Sequence, residues 1–342
     1  MKKRFLIFAV IVLSFYGIKA QSHIDELSVN VRSSFEYNHH SINDEDHKGF
    51  NGEHFNINMQ GHITDNITYR IRQRFHKDMV KGNNFFNATD FLYIDWKINE
   101  HWSLNFGRQE IFIGGYEYDY APIDVYFYGD FCNVLPECYG FAGSVAYNFN
   151  EHQQLVFQVS NSPFYGGNSN MLSYNLAWFG NIAPWWRTIW SVNESEYANG
   201  EFENMIALGN RIGTDNVYLE ADFINRYRKD YKNFLLDNWG FVAKFNYTYN
   251  NFNFFVKGGY DKDKYRFLLH VGDNKFEYKH IGGGVEYFPL KDNKNVRLHA
   301  VYHYTQENLA DVPNETKKYT HNVLIGATWK INVIKKIIHN IN

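Results

Sequence analysis

The chain has 342 residues and a formal net charge of −3, which is too small a charge imbalance to suggest a nucleic-acid partner. Aromatic residues make up 19% of it, with 26 Tyr and 30 Phe, whereas Pro occurs 6 times. This composition is typical of a strand-rich protein with many tight turns. Its two cysteines, Cys132 and Cys138, exclude a fold held together by a disulfide framework.

The first segment is predicted to be a secretory signal peptide covering residues 1–20. A basic start at residues 2–4 precedes an apolar run at 5–16, and Ala20 ends the segment. An uncleaved anchor helix is the alternative, but this run is short for a span that needs ~20 residues. We therefore expect the chain to leave the cytoplasm and residues 21–342 to form one domain.

Apolar and polar side chains alternate through most of this domain. The stretch ITYRIRQRFHK at residues 67–77 sets Arg70, Arg72 and Arg74 two residues apart, with apolar residues between them. A helix would spread these arginines around its circumference, whereas a strand places all three on one face. Residues 67–77 are therefore predicted to be a strand with one cationic face.

Short and long links alternate between these predicted strands. The short links fall at about 65–66, 99–101, 148–152, 180–184, 213–216, 248–251 and 288–295. The longer polar links fall at about 38–53, 77–88, 107–139, 161–170, 193–202, 227–236, 261–275 and 305–318. This pattern predicts an all-β fold: a transmembrane antiparallel β-barrel of about sixteen strands. A soluble β-sandwich or propeller is the alternative, but the export signal and aromatic residues at strand ends favour the barrel.

Cationic residues are predicted to line a wet channel through the barrel. Arginine on the lipid face would cost ~2–4 kcal/mol near the midplane. The residues assigned to this basic wall are Arg70, Arg72, Arg74, Arg32, Arg297 and Lys257. Rings of Arg and Lys favour anions, although pairing with acidic neighbours would leave a pore without selectivity.

The third long link, residues 107–139, is unusually aromatic and acidic. Its carboxylates include those of Glu110, Glu117, Asp119, Asp124 and Asp130. A loop this apolar would expose a large patch in water, so it is predicted to fold inward and constrict the pore. Packing over the rim or against another protomer is the alternative. Cys132 and Cys138 lie here in an oxidising compartment, which favours a disulfide over two free thiols.

No cofactor, metal or catalytic role is expected. The His-rich stretch at residues 37–54 lacks the spacing of a defined metal motif, and no GxSxG or HExxH pattern occurs. A barrel lipid hydrolase would require a Ser-His pair that nothing in the sequence singles out.

Residues 104–131 and 285–304 resemble segments of the phosphate-selective porin O and P family, in the form found in Bacteroidetes. The resemblance implies a sixteen-stranded barrel in the outer membrane of a Gram-negative bacterium, surrounded by lipid and often trimeric. It also implies a third loop folded inward, with Arg70, Arg72 and Arg74 in the part of an arginine ladder.

The predicted function is therefore passive diffusion of small hydrophilic solutes through an outer-membrane porin that prefers anions, phosphate among them. A plugged structural or adhesive barrel without transport is the alternative.

Overall fold

The computed structural model describes most of the domain that follows the predicted signal peptide; residues 1–20 lie outside the described part. The described residues are 23–41, 45–81, 85–164, 170–229, 234, 236–263, 275–290, 293–310 and 318–335.

Sixteen strands within these residues form one closed antiparallel barrel, as predicted. They are β1 (His23–His40), β2 (Glu45–Thr64), β3 (Ile67–Arg74), β4 (Thr89–Lys97), β5 (Trp102–Glu110), β6 (Tyr139–Asn150), β7 (Gln153–Asn161), β8 (Leu172–Ala183), β9 (Trp186–Ala198), β10 (Glu201–Gly213), β11 (Val217–Arg228), β12 (Asn238–Tyr249), β13 (Phe252–Asp263), β14 (Lys275–Tyr287), β15 (Val296–Ala310) and β16 (Lys318–Lys335). Each strand pairs with its neighbour in sequence, and β16 pairs with β1.

Helical structure in the described residues is confined to the third long loop. This loop contains α1 (Tyr116–Asp119), a 3-10 turn (Pro122–Asp124) and α2 (Asp130–Val134). None of the helices described is of a length and apolarity that would let it cross a membrane.

Side chains alternate between the two faces of the barrel wall. In β9, Ser191 and Asn193 are 4% and 1% exposed, whereas Val192 between them is 58% exposed. The polar members of such sets face the lumen, and the apolar members face outward to the position of the lipid. The alternation read from the sequence is thus an inside–outside pattern.

Aromatic side chains gather near the short turns, at the end of the barrel opposite the long loops. The rings of Trp102 and Tyr147 lie 4.7 Å apart, and those of Phe252 and Tyr287 lie 4.9 Å apart. Amphipathic rings at one level are typical of the boundary between hydrocarbon and headgroups.

Two of the predicted long links are instead mostly strand. Most of the link predicted at 38–53 is strand, because β1 continues to His40 and β2 begins at Glu45, where the two form a polar hairpin. Cross-strand contacts hold this hairpin, for example the 3.0 Å hydrogen bond that Tyr37 Oη donates to Asp46 Oδ1. Two strands can pair in water without an apolar face. A prediction from hydropathy alone therefore ends β1 too early and begins β2 too late.

The second wrong boundary is the link predicted at 193–202. Only Asn199 and Gly200 separate β9 from β10, and Gly200 has a φ of 73°. Asn-Gly is the strongest signal for a two-residue hairpin, because its turn needs positive φ. That dipeptide in the sequence is the signal that would have corrected the prediction.

Val256, in the middle part of β13, tests which face sees lipid. It is 57% exposed between Phe255 and Lys257, each 6% exposed. We expect Val256→Arg to reduce the free energy of unfolding by roughly 2–4 kcal/mol, because guanidinium would enter hydrocarbon. Urea titration of the barrel folded into lipid vesicles measures this loss. Val256→Leu is the matched control and should be neutral; an equally neutral Val256→Arg would contradict the assigned face.

Candidate functional site

The third loop, residues 111–138 between β5 and β6, lies inside the barrel. Its apolar residues Ile111, Ile113, Phe131 and Leu135 pack in one buried cluster with Met205 and Ala207 of β10. Phe127 packs in a second cluster on the opposite side, with Phe255, Val301 and Leu324. The inward fold predicted from the loop's composition is confirmed, because both clusters use lumen-facing wall residues.

A pair of glycines lets the loop cross the wall closely. Gly114 N–H donates to Ser191 Oγ at 2.8 Å, and a Cβ at Gly114 would lie 2.8 Å from the Ile189 carbonyl oxygen. Gly115 has a φ of 114°, which disfavours any other residue. A side chain at Gly114 would push the loop off β9, and one at Gly115 would strain the backbone.

Asp222 of β11 then fixes the start of α1. Its carboxylate accepts hydrogen bonds from the backbone N–H of Tyr116 at 2.9 Å and from that of Glu117 at 2.8 Å. Asp222 therefore pairs backbone donors that the short helix leaves free.

Three cations predicted to line the pore also hold the loop in place. Arg32 Nη1 donates to the carbonyl oxygens of Ile123 at 2.8 Å and Val125 at 2.9 Å. Arg297 Nη2 donates to the same Ile123 carbonyl at 3.2 Å. Lys257 Nζ donates to the carbonyl oxygen of a third loop residue, Phe127. The sequence shows these residues on the inner face but cannot show that a loop backbone uses them.

These three cations also pair with carboxylates. Arg32 lies 2.6 Å from Glu53, and Lys257 lies 2.5 Å from Glu117. Arg297 lies 3.1 Å from Asp124 and 3.2 Å from Glu286. Much of their charge is thus balanced within the lumen.

The arginine column on β3 is partly neutralised by one carboxylate. Arg72 Nε donates to Asp90 Oδ2 at 2.7 Å, and Arg74 Nη2 lies 2.6 Å from Asp90 Oδ1. Arg72 Nη2 also donates to Tyr139 Oη at 2.7 Å. Strict alternation of faces along β4 does not predict that the Asp90 side chain points into the lumen. Its register against β3 shifts at this residue, and such a bulge re-aims a side chain.

Arg70 differs from the other two arginines of the column. Its Nε donates to Asn58 Oδ1 at 3.3 Å, and its guanidinium carbon lies 4.2 Å from the ring centre of Phe91. It forms no ion pair with any carboxylate in the part of the chain that the structure describes. Its positive charge therefore remains open to the lumen.

The loop carboxylates have different environments. Glu110 is the last residue of β5, opposite Tyr139, and Asp130 is buried with its N–H donating to Asp261 Oδ2 at 3.1 Å. Burial raises the pKa of Asp119, partly offset by Arg211. The side chain of Asp124 is 46% exposed. The loop's acidic residues thus do not form a single ring.

The expected disulfide between Cys132 and Cys138 is not formed, because both thiols are free. Cys132 lies on α2, and each cysteine packs against the apolar cluster around Phe131. Burial raises the pKa of Cys138 to about 12, and burial also raises the pKa of Cys132 well above its ordinary value. Sequence spacing alone does not report the geometry that a disulfide needs.

Two cavities meet beside the exposed carboxylate of the loop. One, of about 450 Å³, lies between the loop and the β1–β3 side of the wall. Among the described residues, five cations and a single carboxylate line it: Arg70, Arg72, Lys294, Arg297, Lys330 and Asp124. The other, of about 210 Å³, shares Asp124 and Arg297 with the first but lies toward β11–β14. We call them the basic cavity and the aromatic chamber.

Comparison with known proteins agrees with this architecture. The family model for the phosphate-selective porins O and P matches residues 26–188, a range that contains the arginine column and the whole third loop. The chain is an outer-membrane porin. The resemblance drawn from the sequence is confirmed over that range, and the family and fold indicate a channel rather than an enzyme. No curated protein sequence matches the porin.

Solved structures share the fold at low sequence identity. The outer membrane channel DcaP of Acinetobacter baumannii is 13% identical with a TM-score of 0.61, over 92% of the porin and 99% of DcaP. The loop L8 deletion mutant of OmpT from Vibrio cholerae is 12% identical with a TM-score of 0.60, over 91% and 99%. An anion-selective porin from Comamonas acidovorans is 10% identical with a TM-score of 0.59, over 91% and 100%.

Glu117 gives a pH-dependent test of the loop's attachment. Burial opposes its charge, but Lys257 and the Gly129 N–H more than offset this, so the pKa of Glu117 lies below its usual 4.5. A lowered pKa means that the charged group stabilises the fold above pH 4.5 and that this contribution is lost as pH falls through the folded pKa. We expect Glu117→Gln to cost roughly 3–5 kcal/mol at pH 7, because it leaves Lys257 buried without its partner.

Denaturant titration at several pH values measures this difference. The wild-type advantage over Glu117→Gln should shrink steadily below pH 4.5. Asp119→Asn on the same helix is the control; since the pKa of Asp119 is raised, loss of its charge should cost nothing at pH 7. A Glu117→Gln cost that persists undiminished in acid would contradict the ion pair's role.

Proposed function

We propose that the porin passes small hydrophilic solutes by diffusion and prefers anions. The observation that carries this proposal is the basic cavity, where five cationic side chains and one carboxylate line the water-accessible space among the described residues. Charges of one sign along the wall of a narrow passage lower the energy barrier to entry for ions of the other sign.

The open charge of Arg70 supports the direction of this preference. Arg72 shares Asp90 with Arg74, Arg297 pairs with two carboxylates, and Lys330 pairs with Glu26. Cations paired in this way attract a passing anion less, since the partner cancels much of the field. Among the cations that the strands contribute to this cavity, Arg70 is thus the one on which selectivity should depend most.

Two further points bear on the solute. The structurally similar porin from Comamonas acidovorans is described as anion-selective, although at 10% identity the likeness shows the fold alone. Inorganic phosphate is one candidate anion, because the matching family is described as phosphate-selective. In this proposal the third loop sets the width of the passage, and the charges on the wall determine whether anions or cations are preferred.

Arg70→Gln tests the electrostatic proposal. A unit charge at about 4 Å contributes about 1 kcal/mol in water, so removal should lower the chloride-to-potassium permeability ratio by up to about fivefold. Zero-current potentials in a KCl gradient across a planar bilayer measure this ratio. Arg70→Lys, which keeps the charge, should retain the wild-type ratio. An unchanged ratio in Arg70→Gln would remove Arg70 from the mechanism, and a barrel without steady current would indicate the plugged structural alternative.

Asp124→Asn provides a test of opposite sign. Asp124 is the carboxylate among the described residues that line the basic cavity, and its side chain is 46% exposed. Its neutralisation also frees part of the charge of Arg297. We therefore expect a higher chloride-to-potassium ratio in the same bilayer measurement. A shift toward cations would contradict the proposed wall.

We also propose that the porin assembles as a homotrimer. The support is a solved neighbour, OmpT of Vibrio cholerae, described in a trimer form; it is 10% identical with a TM-score of 0.57, over 91% of the porin and 99% of OmpT. Chemical cross-linking in native membranes should give a ladder that ends at three chains. A ladder that ends at one or two would contradict this proposal.

A further inference from the structure

The aromatic chamber is distinct from the basic cavity in its lining. Its volume of about 210 Å³ is bounded by rings from both the loop and the wall: Tyr120, Tyr126, Phe127, Tyr218 and Phe255. An apolar cavity of about 150 Å³ is large enough to hold benzene. The chamber can therefore accept a small organic body as well as water.

Two carboxylates of the chamber, Glu220 and Glu286, already have tyrosine partners. Glu220 accepts a 2.6 Å hydrogen bond from Tyr120 Oη and pairs with Arg211. Glu286 accepts a 2.9 Å hydrogen bond from Tyr126 Oη. Each carboxylate is thus satisfied by a tyrosine of the loop, and neither is left to bind a solute cation.

The Lys244 ammonium has no such partner. In the described part of the chain it forms no ion pair and no hydrogen bond, and its contacts are with aromatic faces. Its Nζ lies 4.6 Å from the ring centre of Tyr120 and 5.8 Å from that of Phe255. Cation–π contacts hold the ammonium in place without neutralising it. Since Lys244 lines the chamber, this charge faces the space where a solute would lie.

We propose that the chamber binds small monocarboxylates that carry an apolar or aromatic body. The carboxylate pairs with Lys244 Nζ, and the body packs between the rings of Tyr120 and Phe255. A multiply charged anion is disfavoured, because the carboxylates of Glu117, Asp222 and three other acidic residues also line the chamber. The proposal rests on the proposed channel only for the route by which the solute arrives, since binding itself needs no current.

Titration calorimetry on the detergent-purified wild-type barrel tests the proposal, with benzoate as the probe. Benzamide, the neutral analogue of the same shape, should bind at least about tenfold more weakly, because a charge-assisted hydrogen bond is lost. Inorganic phosphate should also bind more weakly than benzoate. This comparison needs no variant, so it holds even where a substitution prevents folding.

Three variants localise the binding. Lys244→Met should weaken benzoate binding by at least about tenfold, whereas Lys244→Arg, which keeps the charge, should bind it. Lys97→Met is the matched control, since Lys97 ends β4, is exposed and lines neither cavity. Equal affinity for benzoate and benzamide, or unchanged benzoate affinity in Lys244→Met, would overturn the proposal. Anion-selective currents without benzoate binding would contradict the proposed binding site in the chamber but would leave the proposed anion selectivity of the porin standing.

Discussion

Hydrocarbon offers no partner to a backbone N–H or C=O, and the whole molecule depends on satisfying that constraint by a sheet that closes on itself. Pairing of β1 with β16 removes both edges of the sheet. Once the sheet is closed, alternate side chains of every strand must face either lipid or lumen. The cationic face of β3 is therefore forced into the lumen, and the lumen becomes the concave surface on which an aromatic loop can bury itself.

Positive charge inside the barrel serves two purposes. Arg32, Arg297 and Lys257 donate to loop carbonyl oxygens and pair with carboxylates, so they hold the constriction together. Among the described residues, Arg70 and Lys244 neither donate to a loop carbonyl oxygen nor pair with a carboxylate. Each lines a different cavity. On this account the cations that the loop leaves unpaired determine what the porin selects, rather than the total number of basic residues on its wall.

Most of the fold could be predicted from the period-two alternation of apolar and polar residues. The number of strands, the face of each strand that meets lipid and the inward loop all follow from where apolar residues can be buried. Features that depend on backbone detail were not predictable in this way. Asp90 turns inward at a bulge that breaks the alternation, and β9 continues to the turn at Asn199 despite its polar sequence. The thiols of Cys132 and Cys138 remain free and pack against the apolar cluster, a state that their spacing does not encode.

The loop's position inside the barrel is tested most directly by its own two cysteines. A maleimide carried on a bulky polyethylene glycol chain cannot enter the lumen, and each modified thiol gives a visible shift on a gel. We expect no modification of Cys132 or Cys138 in the folded barrel and modification of both after unfolding. Rapid modification of both thiols in the folded barrel would place the loop outside the lumen and contradict the account.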